Sequence, residues 1–150
     1  MPDLELFFIA LGLFFGAYEL HQNRKSQYLQ IYQESQRRYD DLNEDRKEFH
    51  FYYTQSDFSL LRLKKEKHED YKKIIHWETR YFWFYFYEWL EGHVRKSIPT
   101  YLRRDWDYAI KAAMKNPVHK QAWQEEIGKI DFLGYREFNK FIDDCTRNRR

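Results

Sequence analysis

Arg62 and His68 are the one pair in the sequence whose types and spacing suit chemistry on a phosphodiester. A guanidinium can hold a phosphate, an imidazole can move a proton, and five residues separate them. The plainer reading is coincidence, because both residue types are common and the spacing is permissive. The other histidines, His21, His50, His76, His93 and His119, form no H-E-x-x-H pattern. His76 with Glu78, and His68 with Glu69, are chance-level pairings. One cysteine, Cys145, cannot build a cysteine-rich zinc site and excludes an intrachain disulfide. No Walker A, G-x-G-x-x-G or G-x-S-x-G motif occurs, so nucleotide hydrolysis and serine-hydrolase chemistry have no support. No metal and no cofactor is expected.

The R-x5-H spacing resembles that of HEPN-type ribonucleases, in which Arg and His on one helix act on the 2′-hydroxyl and the scissile phosphate, usually across a dimer. The resemblance implies a metal-free, membrane-tethered RNase with Arg62 and His68 as its catalytic residues. The residue after the Arg is Leu63, where that family usually carries a polar side chain. The balance of the sequence lies with a protein that is not an enzyme.

The elements that would position any such chemistry are helical. The 150 residues include 21% aromatics and 33% charged residues, with only five Gly and three Pro. Few breakers and many large side chains predict long helices with aromatic seams, an all-α fold. The net charge of +2 is too small to call for a polyanion. Arg103-Arg104 and Lys64-Lys65-Lys67 are interleaved with acids, so nucleic acid is not an expected partner.

The stretch LFFIALGLFFGAY, residues 6–18, has no charge, and the wider segment 4–20 carries only Glu5 and Glu19. As a helix it is roughly 25 Å long, the short end for a bilayer span. Apolar residues cover it all round, which favours a transmembrane helix over a buried core helix. The flanking acids and the lack of a small-residue cleavage site argue against a signal peptide. Arg24, Lys25, Arg37 and Arg38 follow it and no basic residue precedes it. That bias places the start of the chain outside and residues 21–150 in the cytoplasm of a bacterial inner membrane, with Arg24 and Lys25 on lipid headgroups. Glu5, Gly12, Gly16 and Glu19 are spaced seven, four and three and share one helical face. The G-x-x-x-G pair suits close approach of two helices, so a homo-oligomer is expected through that face, or a pore lined by it.

No glycine lies between Gly16 and Gly92 and no proline between Pro2 and Pro99, so one or two long helices are expected there. Tyr28, Tyr32, Ser35, Tyr39, Leu42, Arg46, Phe49 and Tyr53 alternate spacings of four and three, an aromatic heptad seam suited to packing on the chain's own body or in a larger helical assembly. The division expected is an anchor at 1–20, a helical stalk at 21–55 and a compact helical bundle at 56–150. Ser56 or Asp57 is expected to cap a helix from Phe58, and the run 64–73 to be solvated. YFWFYFYEWL, residues 81–90, reads as the central core helix, ending near Gly92. Thr100 is expected to cap the next helix, which ends at Asn116-Pro117. A short helix through Trp123 stops at Gly128, and a last one starts near Tyr135 before a basic tail at 147–150.

FYFYEWLEGHV, YLRRDWDYAI, NPVHKQAWQEE and FLGYREFNKFID, within residues 81–145, resemble a bacterial domain of unknown function found in small proteins with one N-terminal membrane helix. That family supplies no catalytic residues. The layout also resembles the small membrane accessory protein of type VI-B CRISPR systems, which assembles into a ring-like pore and strengthens antiphage defence. These resemblances imply a membrane-anchored, self-associating accessory in antiviral defence. A scaffold that recruits a cytosolic protein partner is the other non-enzymatic expectation.

Overall fold

The computed structural model describes residues 2–147, and the side chains of residues 2–8 and 10 lie outside that description. The side chain of Glu5 and the end of the basic tail, 148–150, therefore lie outside the description. The order is α1 (Pro2–Arg46), a 3-10 segment (Lys47–Thr54), α2 (Leu60–Glu66), α3 (His68–Trp89), a π turn (Leu90–Val94), α4 (Thr100–Ala113), α5 (Pro117–Glu125), a 3-10 turn (Ile127–Lys129) and α6 (Arg136–Thr146). The all-α expectation holds, with no strand among the described residues. The chain divides into two units, Met1–Glu34 and Ser35–Arg150. The first holds the N-terminal part of α1, whose remainder belongs to the second. Among the described residues no helix is long and apolar enough to cross a membrane.

The second unit is built around α3. Ile74, Phe82 and Phe86 are fully buried, and Trp77, Tyr81, Tyr85 and Trp89 nearly so. A helix apolar over most of its circumference must be surrounded. The heptad seam supplies one wall. Going up the chain, Ser35 meets Glu88, Tyr39 meets Phe84, Leu42 meets Trp77 and Tyr53 meets Glu78. From Ser35 to Leu42 the partner numbers fall from Glu88 to Trp77, so this part of α1 runs antiparallel to α3, and Tyr53 of the 3-10 segment returns to Glu78. The compact unit thus begins at Ser35, and the later part of the segment read as a stalk packs on the body.

The breaker-free run holds two long helices as expected, α1 and α3, but a 3-10 segment and a short helix, α2, join them. The breaks come from side chains rather than from Gly or Pro. Phe49 leaves helical geometry (φ −128°, ψ 20°), and Phe58 is buried in the extended link. Ser59, not Ser56 or Asp57, caps α2, accepting from the Arg62 amide at 3.3 Å. Lys67 (φ −139°, ψ 67°) separates α2 from α3. Most of the run 64–73 is exposed as expected, but Tyr71 is buried.

α3 ends near Gly92 as read, with its regular turns closing at Trp89. It widens into the π turn, and the left-handed residue beyond is Lys96 (φ 53°). Gly92 is required for approach rather than for capping, because a Cβ there would meet Arg103 Cγ of α4 at 2.9 Å. Pro99, not Thr100, occupies the cap position of α4 and makes no side-chain cap bond. Asn116 caps α5, accepting from the Val118 amide at 2.9 Å, and Pro117 follows at the first turn. Gly128 and Tyr135 mark the ends of the α5 region and the start of α6 as read.

Candidate functional site

In the first unit, Ile9, Leu11, Leu13, Phe14, Phe15, Tyr18 and Leu20 are each 41–71% exposed. At about 100° per residue, Leu11, Phe14, Phe15 and Tyr18 gather on one side, and Ile9, Leu13 and Leu20 on the opposite one. One strip between them carries Gly12, Gly16 and Glu19. A Cβ added at Gly12 or Gly16 would meet nothing within 4 Å. Arg24 and Lys25 lie one to two turns further on, exposed.

Arg62 and His68 stand on different helices. Arg62 lies on α2 and its guanidinium is 3.8 Å from Asp57, while His68 opens α3 and its ring stacks on Tyr71 at 6.0 Å. The break at Lys67 removes the shared helical face that the R-x5-H spacing presupposes. Among the described residues no group of three His, Cys, Asp or Glu could hold a metal ion.

The most constrained polar cluster lies elsewhere, in the body. Glu78 on α3 is fully buried. Its Oε1 accepts from the Tyr53 hydroxyl at 2.5 Å, and its Oε2 lies 2.9 Å from His119 Nδ1 on α5. Burial, and then the Glu78 carboxylate, hold the Tyr53 hydroxyl far above its usual range, so Tyr53 donates. His119 is further fixed by stacking on Tyr81 at 4.9 Å, and the Tyr85 hydroxyl donates to that of Tyr81 at 2.5 Å. The Arg46 guanidinium sits 5.2 Å from the Tyr53 ring centroid and 5.5 Å from that of Trp77.

This cluster borders a cavity of about 590 Å³. Tyr81, Phe84 and Trp106 form its apolar walls. Ala109, Ala112 and Ala113 of α4 leave the room, and Arg46, Glu88 and His119 supply charge and polarity. Its size is that of a small-molecule site. An imidazole whose Nδ1 is held by a carboxylate is oriented as a general base is. The residues lining the cavity, however, include no Ser, Thr, Cys or Lys to serve as a nucleophile.

Glu88 is the group with the clearest pH response. Burial pushes its carboxyl up to about 7, opposed by the hydrogen bond from Ser35 at 2.6 Å. The folded state therefore holds this proton more tightly than the unfolded chain. The stabilisation is present below about pH 4.5 and is lost as pH rises to about 7, with no further change above. At about 1.4 kcal/mol per pH unit, the window is worth about 3 kcal/mol. Glu88→Gln should remove this dependence, so that wild type loses about 3 kcal/mol relative to the variant between pH 4.5 and 7.5, read by urea unfolding at each pH.

Glu78, His119, Arg46 and Glu88 were not singled out by sequence motifs as a site. The signal for two of them was present: Glu78 and Glu88 are acids set among the aromatic residues of α3. No known protein family, curated protein or solved structure matches the chain.

Proposed function

We propose that this protein is a membrane-anchored helical protein that self-associates through the first part of α1, with residues 35–150 as a non-enzymatic body on the cytoplasmic side. The observation that supports this most is the exposure of seven large apolar side chains between Ile9 and Leu20. Burying each such side chain is worth about 1.5–3 kcal/mol, so water is a poor solvent for this stretch and hydrocarbon a good one. The large side chains meet lipid on two sides of the helix. The strip of Gly12 and Gly16, with open space above both, lets a second copy approach closely. Arg24 and Lys25 meet anionic headgroups, each contributing about 1 kcal/mol.

Vesicle flotation tests the membrane part. The full chain is expected to float with vesicles of phosphatidylcholine and phosphatidylglycerol. Leu13→Asp places a carboxylate among the lipid-facing residues at a cost of about 3 kcal/mol, and so weakens partitioning roughly a hundredfold. A full chain that stays at the bottom of the gradient, or a variant that floats equally well, overturns the proposal.

A further inference from the structure

We propose that the cavity between α1, α3, α4 and α5 is a binding site for a small organic anion made of a planar ring carrying one carboxylate or phosphate. The anionic group would sit on Arg46, and the ring against Tyr81, Phe84 and Trp106, with His119 Nε2 accepting from a donor on the ligand where it carries one. This goes beyond the membrane and self-association reading and does not depend on it, since every residue invoked lies in the second unit.

Arg46 is the first argument. Among the described residues its guanidinium has no carboxylate within ion-pair distance. The acids beside it in sequence are engaged elsewhere, Glu44 by Lys47 at 2.5 Å and Asp45 by Arg80 at 2.6 Å. What holds Arg46 is the pair of ring faces of Tyr53 and Trp77. Those contacts position the stem and the plane while leaving the N–H fork unused. A planar fork of donors fits a carboxylate or phosphate two bonds at a time.

His119 is the second. Its side chain is 4% exposed and lines the cavity. Nδ1 is taken by Glu78, and Nε2 has no hydrogen bond among the described residues. With Nδ1–H donating to the Glu78 carboxylate, Nε2 is an acceptor beside the cavity, a place for a hydrogen-bond donor of the ligand rather than for its anionic group. The fixed tautomer and the stack on Tyr81 mean that the ring need not reorganise to receive it.

The walls argue for the ring. Aromatic faces favour a flat apolar body, and the alanines of α4 opposite them keep the slot wide. Glu88 is the one acid lining the cavity. It is covered by Ser35, and burial lifts its carboxyl to about 7, so at neutral pH it carries only part of a charge against an incoming anion.

The probe is 1-naphthoate, read by quenching of tryptophan emission in the full-length protein at pH 6.5. Trp106 lines the cavity and Trp77 lies behind His119. The controls are 1-naphthalenemethanol, which has the ring without the charge, and acetate, which has the charge without the ring. Saturable binding of naphthoate is expected, at least tenfold tighter than the alcohol, with none for acetate. Arg46→Met keeps the stem on the rings and should weaken naphthoate at least tenfold while leaving the alcohol unchanged. Ala109→Phe, on an exposed helical position, should fill the slot and abolish binding of both ring compounds. No saturable quenching by naphthoate overturns the proposal. So does equal affinity for the acid and the alcohol, or an Arg46→Met variant that binds naphthoate as wild type does.

Discussion

Glu78→Ala should lower the stability of the helical body by about 4 kcal/mol. The fully buried carboxylate of Glu78 is the common acceptor of Tyr53 and His119, which join it from the 3-10 segment and from α5. Its removal strands two donors. The Tyr53 hydroxyl and the His119 N–H are both buried, and each costs about 1–3 kcal/mol when left unpaired. The lost methylene adds a small cavity. Tyr53→Phe takes away one donor and leaves the carboxylate held by His119, so it should cost only about 1–2 kcal/mol. Urea unfolding followed by tryptophan emission checks both, because Trp77, Trp83, Trp89, Trp106 and Trp123 all lie in the body. The midpoint should fall with the slope unchanged. A loss under 1 kcal/mol in Glu78→Ala would mean that the cluster does not hold these three segments together.

Phe86→Ala is expected to cost about as much, by a different cause. Phe86 is fully buried and its ring lies 5.5 Å from Trp83, 5.6 Å from Phe132 and 5.3 Å from Phe138. It is the point where α3 meets both the link before α6 and α6 itself. Removing a buried ring forfeits its transfer free energy and leaves a cavity that large, rigid neighbours cannot close, together about 3–5 kcal/mol. Phe86→Leu refills most of that volume and should cost about 1.5 kcal/mol. Near-ultraviolet circular dichroism should weaken in the alanine variant, since the lost ring is a neighbour of several of the packed aromatics. Tyr108→Ala, at a side chain 74% exposed, should stay within about 0.5 kcal/mol of wild type.

The parts of this fold that were legible in the sequence are those written in short-range spacing. The seam from Ser35 to Tyr53 repeats every seven residues and lies along α3. Its two interruptions are the polar contacts of the interface: Ser35 bonds Glu88, and Arg46 covers Tyr53 and Trp77. The aromatic run at 81–90 is the centre of the body because no other side can hide so many rings. Asn116-Pro117 ends one helix and starts the next as its chemistry requires. A junction before a helix near Phe58 was legible at Ser56 and Asp57, but the 3-10 segment from Lys47 and the break at Lys67 were not, because neither is marked by Gly or Pro. The same break undoes the reading of Arg62 and His68 as partners on one helix. The Tyr53–Glu78–His119 cluster was hidden for another reason. Its members are 25 and 41 residues apart, and no periodicity links them until the helices have packed.

The central claim is that the first part of α1 meets lipid with its large side chains and a second copy with its glycine strip. Its most direct test is the mass of the full-length protein in mild detergent, beside that of the double variant Gly12→Leu with Gly16→Leu. A Cβ at either position meets nothing within 4 Å, and leucine is the better helix former by roughly 1 kcal/mol at each position, so the helix itself is not weakened. A discrete oligomer is expected for the wild type and a monomer for the variant. The same oligomer in both, or a wild type that is already monomeric, would contradict the claim.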